Sequence, residues 1–164
     1  MRDLYSNFGF YRAIDPVLHD EADAAAITGV TIDTRGYEGI TFVVQTGLVE
    51  SMTTSTTSYF CFRIQHTDAS ALGLGASDFA DVSNCKHIIH SVLAKDSADL
   101  TSGIWQNYVN GTDHASMVYM IGYIGPKRYA RIVMSGTADS AASINIGAMA
   151  FKGLPGDWPI STPA

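Results

Sequence analysis

The chain has 164 residues, a length typical of one compact domain. Its 10 Lys and Arg residues are scattered and are outnumbered by 16 Asp and Glu, so the net charge is -6 and we expect no nucleic-acid partner. Hydrophobic residues make up 46% of the chain, too many for a disordered protein, but no apolar run reaches the roughly 18 residues of a membrane span. We expect a folded protein with no membrane partner, made in a cytoplasm because the N-terminus lacks the apolar core of a signal peptide.

Alternating apolar and polar residues, rich in β-branched and aromatic side chains, predict a mainly β protein. In chain order, the clearest predicted strands are 8–14, 40–45, 59–66, 118–124, 129–134 and 144–151, and the weaker candidates are 30–32, 87–93 and 106–109. Short strands separated by turn signals favour a sandwich, jelly roll or barrel. We expect an all-β, antiparallel β-sandwich of jelly-roll-like type with long loops. Its parts are an N-terminal arm (1–7), a single sandwich domain (8–155) and a C-terminal tail (156–164).

The predicted strand 59–66 has one clearly apolar face. Phe60, Phe62 and Ile64 lie on the same side of an extended chain, which predicts that this side builds the core. Cys61 lies on the other side in an apolar run, and we interpret it as a small buried residue with a free thiol.

The predicted strands 118–124 and 129–134 flank the short connection Gly-Pro-Lys-Arg. A connection of this length suits an antiparallel hairpin, and apolar residues on both faces of the pair predict burial on both faces. Lys127 and Arg128 are expected to tolerate substitution unless they pair with acidic groups on a partner.

The run from Cys85 to His90 contains soft and borderline metal ligands. In a strand, His87 and His90 would point to opposite faces, so we favour surface or interfacial histidines over a metal site. The acidic run around His19 lacks the spacing of a calcium loop. We therefore predict no metal and no cofactor.

Catalytic motifs are not apparent in the sequence. It contains no Gly-x-Ser-x-Gly elbow, and His114 is an isolated candidate base. We predict that the protein is not an enzyme.

The composition favours a protein that assembles with others, the alternative being a tyrosine-rich monomer. Only 16% of the residues are charged, whereas eight Tyr, seven Phe, two Trp and six Met supply side chains that are enriched at interfaces. The candidate interface residues are Leu4, Tyr5, Lys127, Arg128, Trp105, Tyr108 and Trp158. The first two would anchor the arm to a neighbouring subunit or another partner.

Short segments along most of the chain resemble a known group of proteins. They are Asp3-Leu-Tyr-Ser-Asn7, Arg12-Ala-Ile14 with Pro16, Ile32-Asp-Thr-Arg-Gly-Tyr-Glu38, His66-Thr-Asp68, Asp78-Phe-Ala-Asp-Val82, Gly122-Tyr-Ile-Gly-Pro-Lys-Arg-Tyr-Ala-Arg-Ile-Val133 and Gly147-Ala-Met-Ala-Phe-Lys-Gly-Leu-Pro155. These segments are similar to small structural proteins from the head-gene region of tailed bacteriophages and prophages, some of which are capsid decoration, or cement, proteins. The similarity is lost between residues 68 and 78 and between residues 82 and 118.

The resemblance implies a β-sandwich or jelly roll, no enzymatic activity and a major capsid protein as partner. We therefore expect a virion structural protein on the capsid surface, made in the host bacterial cytoplasm. As a homotrimer, it would bind the outside of the phage head and stabilise junctions between capsomers. The alternatives are a tail or head-to-tail completion protein, or a carbohydrate-binding host-attachment sandwich in which Trp105, Tyr108 and Trp158 stack on sugars.

Overall fold

The computed structural model describes residues 8–20, 26–50, 59–69, 75–83, 87–90, 104–109, 115–137 and 143–155. Within these ranges the strands are β1 (Gly9–Asp20), β2 (Ile27–Thr28), β3 (Ile32–Asp33), β4 (Tyr37–Glu50), β5 (Tyr59–Thr67), β6 (Ala80–Asp81), β7 (Ile88–His90), β8 (Ile104–Val109), β9 (Val118–Tyr123), β10 (Tyr129–Thr137) and β11 (Ser143–Pro155). A short 3-10 helix, Ala76–Asp78, precedes β6. The described ranges include no helix with the length and apolarity needed to cross a membrane.

The strands form two antiparallel sheets, which confirms the expected all-β sandwich. The five-stranded sheet has the order β1-β11-β4-β9-β7. The six-stranded sheet has the order β2-β10-β5-β6, with β3 also pairing with β10 and β8 also pairing with β5. The chain crosses between the sheets at most connections, so strands that are neighbours in sequence are seldom neighbours in a sheet.

The core lies between the inner faces of the two sheets. As predicted, Phe60, Phe62 and Ile64 of β5 are fully buried. They pack in one cluster with inward residues of both sheets, which include Ile40, Phe42, Val44, Tyr119, Ile121, Tyr123, Ala130, Ile132, Met134, Ile144, Ala148 and Ala150. Cys61 is also buried, and its thiol is free and lies 3.2 Å from the hydroxyl of Ser135.

Several strands are longer or shorter than the sequence predicts. β1 continues to Asp20, past the Asp15-Pro16 pair that is typical of a turn. Its pairing with β11 shifts register on both sides of Ile14, and an edge strand with such bulges accommodates a proline. β4 extends the prediction 40–45 at both ends. Of the weak candidate 30–32, only Ile32 lies in a strand, β3, and β2 precedes the predicted range.

The predicted hairpin between β9 and β10 is wrong. β9 pairs with β4 and β7 in the five-stranded sheet, whereas β10 pairs with β5, β2 and β3 in the other sheet. Residues 124–128 therefore form an arch between the sheets, which a short connection can span because packed sheets lie about 10 Å apart. This segment is called the arch below.

Burial on both faces was predicted for these two strands and is found in β10 only. All residues from Tyr129 to Met134 are buried. On the outer side, the Arg131 guanidinium lies 3.8 Å from the centre of the Phe79 ring and donates hydrogen bonds to the Gln65 side chain. β9 buries only its inner side, and its outward apolar residues are exposed.

Candidate interaction surface

The outer face of the five-stranded sheet is apolar and open to solvent. Strand register places its side chains in rows that run across the sheet. One row is Phe10, Phe151, Thr41, Gly122 and Ile89; the next is Arg12, Met149, Val43 and Met120; a third is Gly147, Gln45 and Val118. These three rows are called the apolar face.

The large side chains of the apolar face are exposed to an unusual degree. The exposed fractions are 59% for Val118, 57% for Ile89, 55% for Met120, 48% for Met149 and 47% for Phe10. Single exposed apolar residues are ordinary, but a contiguous group on one sheet face is typical of a surface that binds a partner.

Charge is nearly absent from the apolar face. Arg12 is the charged residue in the three rows, and its guanidinium lies 2.9 Å from the Asp15 carboxylate. The three rows contain no Asp or Glu, so the described acidic residues lie outside this face. A surface of this composition matches the centre of a protein interface, where charged residues are depleted and Met and Phe are enriched.

Two depressions cross the outer side of this sheet. A groove of about 750 Å³ lies over β1, β11 and β4, and Phe10, Val17 and Met149 contribute to its lining. A second depression, of about 500 Å³, lies over β11, β4, β9 and β7 and is lined in part by Met120 and Ile89. It is called the glycine trough because three of its lining residues are Gly39, Gly122 and Gly153.

The arch holds the two candidate interface cations, Lys127 and Arg128, in ion pairs within the chain. The Lys127 ammonium lies 2.7 Å from Asp68, and the Arg128 guanidinium lies 2.8 Å from Asp33. Hydrogen bonds from these cations lower the pKa of both carboxyl groups. The four side chains are 40–52% exposed, so they remain accessible to solvent although they form ion pairs.

A buried tyrosine ties the arch to both sheets. The Tyr123 hydroxyl accepts a hydrogen bond from the Lys127 backbone N–H at 3.2 Å and lies 2.9 Å from Nδ1 of His66 on β5. Burial raises the pKa of Tyr123 to about 12 and lowers the pKa of His66. At neutral pH the pair is therefore a neutral phenol and a neutral imidazole.

The His87 ring lies beside His66, with the ring centres 6.3 Å apart. This pairing was not predicted, because the two residues are distant in sequence and the histidine spacing pointed to His90 instead. The described ranges contain no group of three or more His, Cys, Asp or Glu that would hold a metal ion. Cys85, which begins the predicted ligand run, lies outside those ranges, as does the candidate base His114.

The remaining candidate interface residues lie either outside the described residues or in the other sheet. Leu4, Tyr5 and Trp158 lie outside the described residues. Trp105 and Tyr108 lie in β8, which pairs with β5 in the six-stranded sheet and so belongs to the opposite layer. The apolar face itself was missed because its residues come from five strands whose register cannot be read from the sequence.

No protein-family model, curated protein or solved structure was found to match the chain.

Proposed function

We propose that the protein is a virion structural protein that decorates the outer surface of a phage head and stabilises the junctions between capsomers. The observation that carries this proposal is the apolar face, an exposed and almost uncharged surface on a sandwich with a well-packed core. The partner in this proposal is the major capsid protein, and the protein acts as a homotrimer on the capsid surface. Binding through several subunits adds avidity without any new type of contact.

The absence of carboxylates from the apolar face supports a protein partner with a similarly uncharged surface. A chain with a net charge of -6 would repel another acidic surface if its carboxylates lay at the contact. Here the outward residues of β4, β9 and β11 in the three rows are neutral. Close contact at this face therefore removes apolar area from water without removing unpaired charge.

We also propose that the sandwich is a jelly roll. If β2 with β3, and β6 with β8, each count as one interrupted strand, the two sheets have the orders β1-β11-β4-β9 and β2/β3-β10-β5-β6/β8, with β7 added at one edge. The last strand lies between the first and the third full strands, as it does in eight-stranded jelly rolls, which are common in viral capsid proteins. This order supports a role in a particle, although the same fold carries other functions.

The proposal can be tested by measuring whether variants with substitutions in the apolar face still bind to purified phage heads. The double substitution Phe10→Lys with Met149→Lys places two charges at exposed positions of the apolar face outside the glycine trough, so the melting temperature is expected to stay near that of the wild type. We expect co-sedimentation with heads to be lost. Val30→Lys is the matched control, because Val30 is 45% exposed but lies outside the three rows. We expect it to bind normally.

Two results would contradict the proposal. Wild-type protein that remains monomeric at high concentration and never cofractionates with heads would refute it. Cryo-electron microscopy that locates the protein in the tail or at the head-to-tail junction would instead support the alternative structural role.

A further inference from the structure

The glycine trough is an apolar depression with a floor made partly of backbone. Gly39 and Gly153 are register partners on β4 and β11, and Gly122 lies on β9. At Gly122 a Cβ atom would lie 3.2 Å from both the Cβ and the backbone oxygen of Ile89, a contact so tight that Ile89 would have to move by a few tenths of an ångström. None of the lining residues that the structure describes is charged.

The N-terminal segment enters at the edge of this trough. Phe8, the first described residue, is one of the lining residues. Its ring lies close to Gly153, such that a Cβ atom built on that glycine would be 3.1 Å from it. Residues 1–7 therefore begin their path beside the trough of the same chain.

The length of the segment suits the trough. Leu4 and Tyr5 precede Phe8 by four and three residues, so an extended chain places them about 10–13 Å away. Phe8 directly precedes β1, and adjacent strands lie about 4.8 Å apart, which puts β4 about 10 Å and β9 about 14 Å from the start of the segment. The apolar anchors thus reach the part of the trough over β4 and β9, where Met120 lies and where Ile89 packs against Gly122.

The charged side chains of residues 1–7 are compatible with binding of this segment in the uncharged trough. Arg2 and Asp3 are its charged side chains, and they cancel. Both precede Leu4, so they would pass beyond the uncharged part of the trough when Leu4 and Tyr5 occupy it.

We propose that residues 1–7 bind in the glycine trough of their own chain, with Leu4 and Tyr5 as the apolar anchors. Tethering through Phe8 gives the segment a high effective concentration at this site, which favours the same chain over a second copy. The proposal concerns the isolated protein and does not rest on a role in a virion. It differs from the neighbouring subunit or capsid that the sequence alone suggested as the docking site.

The experiment compares methyl NMR spectra of the full chain and of a variant that lacks residues 1–7. We expect the methyl signals of Met120 and Ile89 to shift on truncation, whereas that of Met149 in the neighbouring groove stays in place. The shifts should be the same at low and high protein concentration. A peptide with the sequence of residues 1–8 should restore the original positions in the truncated protein and should leave the full chain unaffected.

Point variants keep the test decisive if the truncated protein folds poorly. Leu4→Ser with Tyr5→Ser should reproduce the shifts of the truncation. In the full chain, Met120→Lys should displace the segment and shift the Ile89 methyl signal as truncation does, whereas Met149→Lys should leave that signal in place. Unchanged Met120 and Ile89 signals on removal of the anchors would overturn the proposal. Shifts that depend on protein concentration would also overturn it, because they would identify a second copy as the occupant.

Discussion

Removal of the Tyr123 hydroxyl, which contacts the arch from the end of β9, is expected to destabilise the protein measurably. Tyr123→Phe keeps the buried ring but deletes the group that accepts from the Lys127 N–H and lies within hydrogen-bonding distance of His66 Nδ1. Each hydrogen bond contributes about 0.5–1.5 kcal/mol net, and a buried donor left without a partner costs about 1–3 kcal/mol. We expect the free energy of unfolding to fall by about 1–3 kcal/mol.

The same strand provides a matched control in Tyr119. Tyr119 and Tyr123 both point into the core from β9, and burial raises both pKa values to about 12. The Tyr119 hydroxyl, however, is buried and has no hydrogen-bond partner among the residues that the structure describes. Tyr119→Phe removes an unsatisfied polar group, so its effect on stability should be neutral or slightly favourable.

Urea denaturation followed by tryptophan fluorescence measures both variants under the same conditions. The difference between the two free energies of unfolding isolates the hydrogen bonds of Tyr123, since each substitution removes one oxygen from a buried ring. Equal stability of the two variants would refute the reasoning and would mean that the Tyr123 hydroxyl does not hold the arch.

Three further predictions concern the core, the arch cations and pH. Ile132→Ala should lower the free energy of unfolding by about 2–5 kcal/mol in urea denaturation, because Ile132 is fully buried, whereas Val118→Ala on the exposed side of β9 should change it little. Lys127→Glu with Arg128→Glu should lower the melting temperature in calorimetry, since it places acids opposite the present carboxylate partners; an unchanged value would show that these ion pairs do not support the arch. Because burial lowers the pKa of His66, the unfolded chain binds more protons below about pH 6.5, so stability should be complete above that pH and should fall on acidification towards the lowered pKa. Urea midpoints above and below that pH check this, and a His66→Gln variant with the same pH dependence would contradict it.

The sandwich was predictable because its strands carry a local pattern. The alternation of Phe60, Phe62 and Ile64 identifies a core face without any knowledge of partners. The end of β1 was not predictable in this way, since Pro16 is typical of a turn and is compatible with a strand only at a bulged sheet edge.

The pairing partners of each strand could not be predicted from local sequence patterns. A short connection suits both a hairpin and an arch, and the choice depends on the pairing of β9 with β4, in which Met120 lies opposite Val43. The same limit applies to the candidate interface residues. Lys127 and Arg128 were identified, but their carboxylate partners lie far away in sequence and meet them only because the sheets pack.

β1 has to remain unpaired until β11 has been made. Its partner in the described sheet is β11 alone, and Ser143 comes 123 positions after Asp20. At synthesis rates of about 5–20 residues per second, this gap corresponds to roughly 6–25 s during which the backbone groups of β1 have no sheet partner. Leu18 on the same strand is exposed even in the finished fold. Nascent chains are therefore open to intermolecular strand pairing until β11 docks, and truncations that remove β11 should aggregate even though the other ten described strands remain.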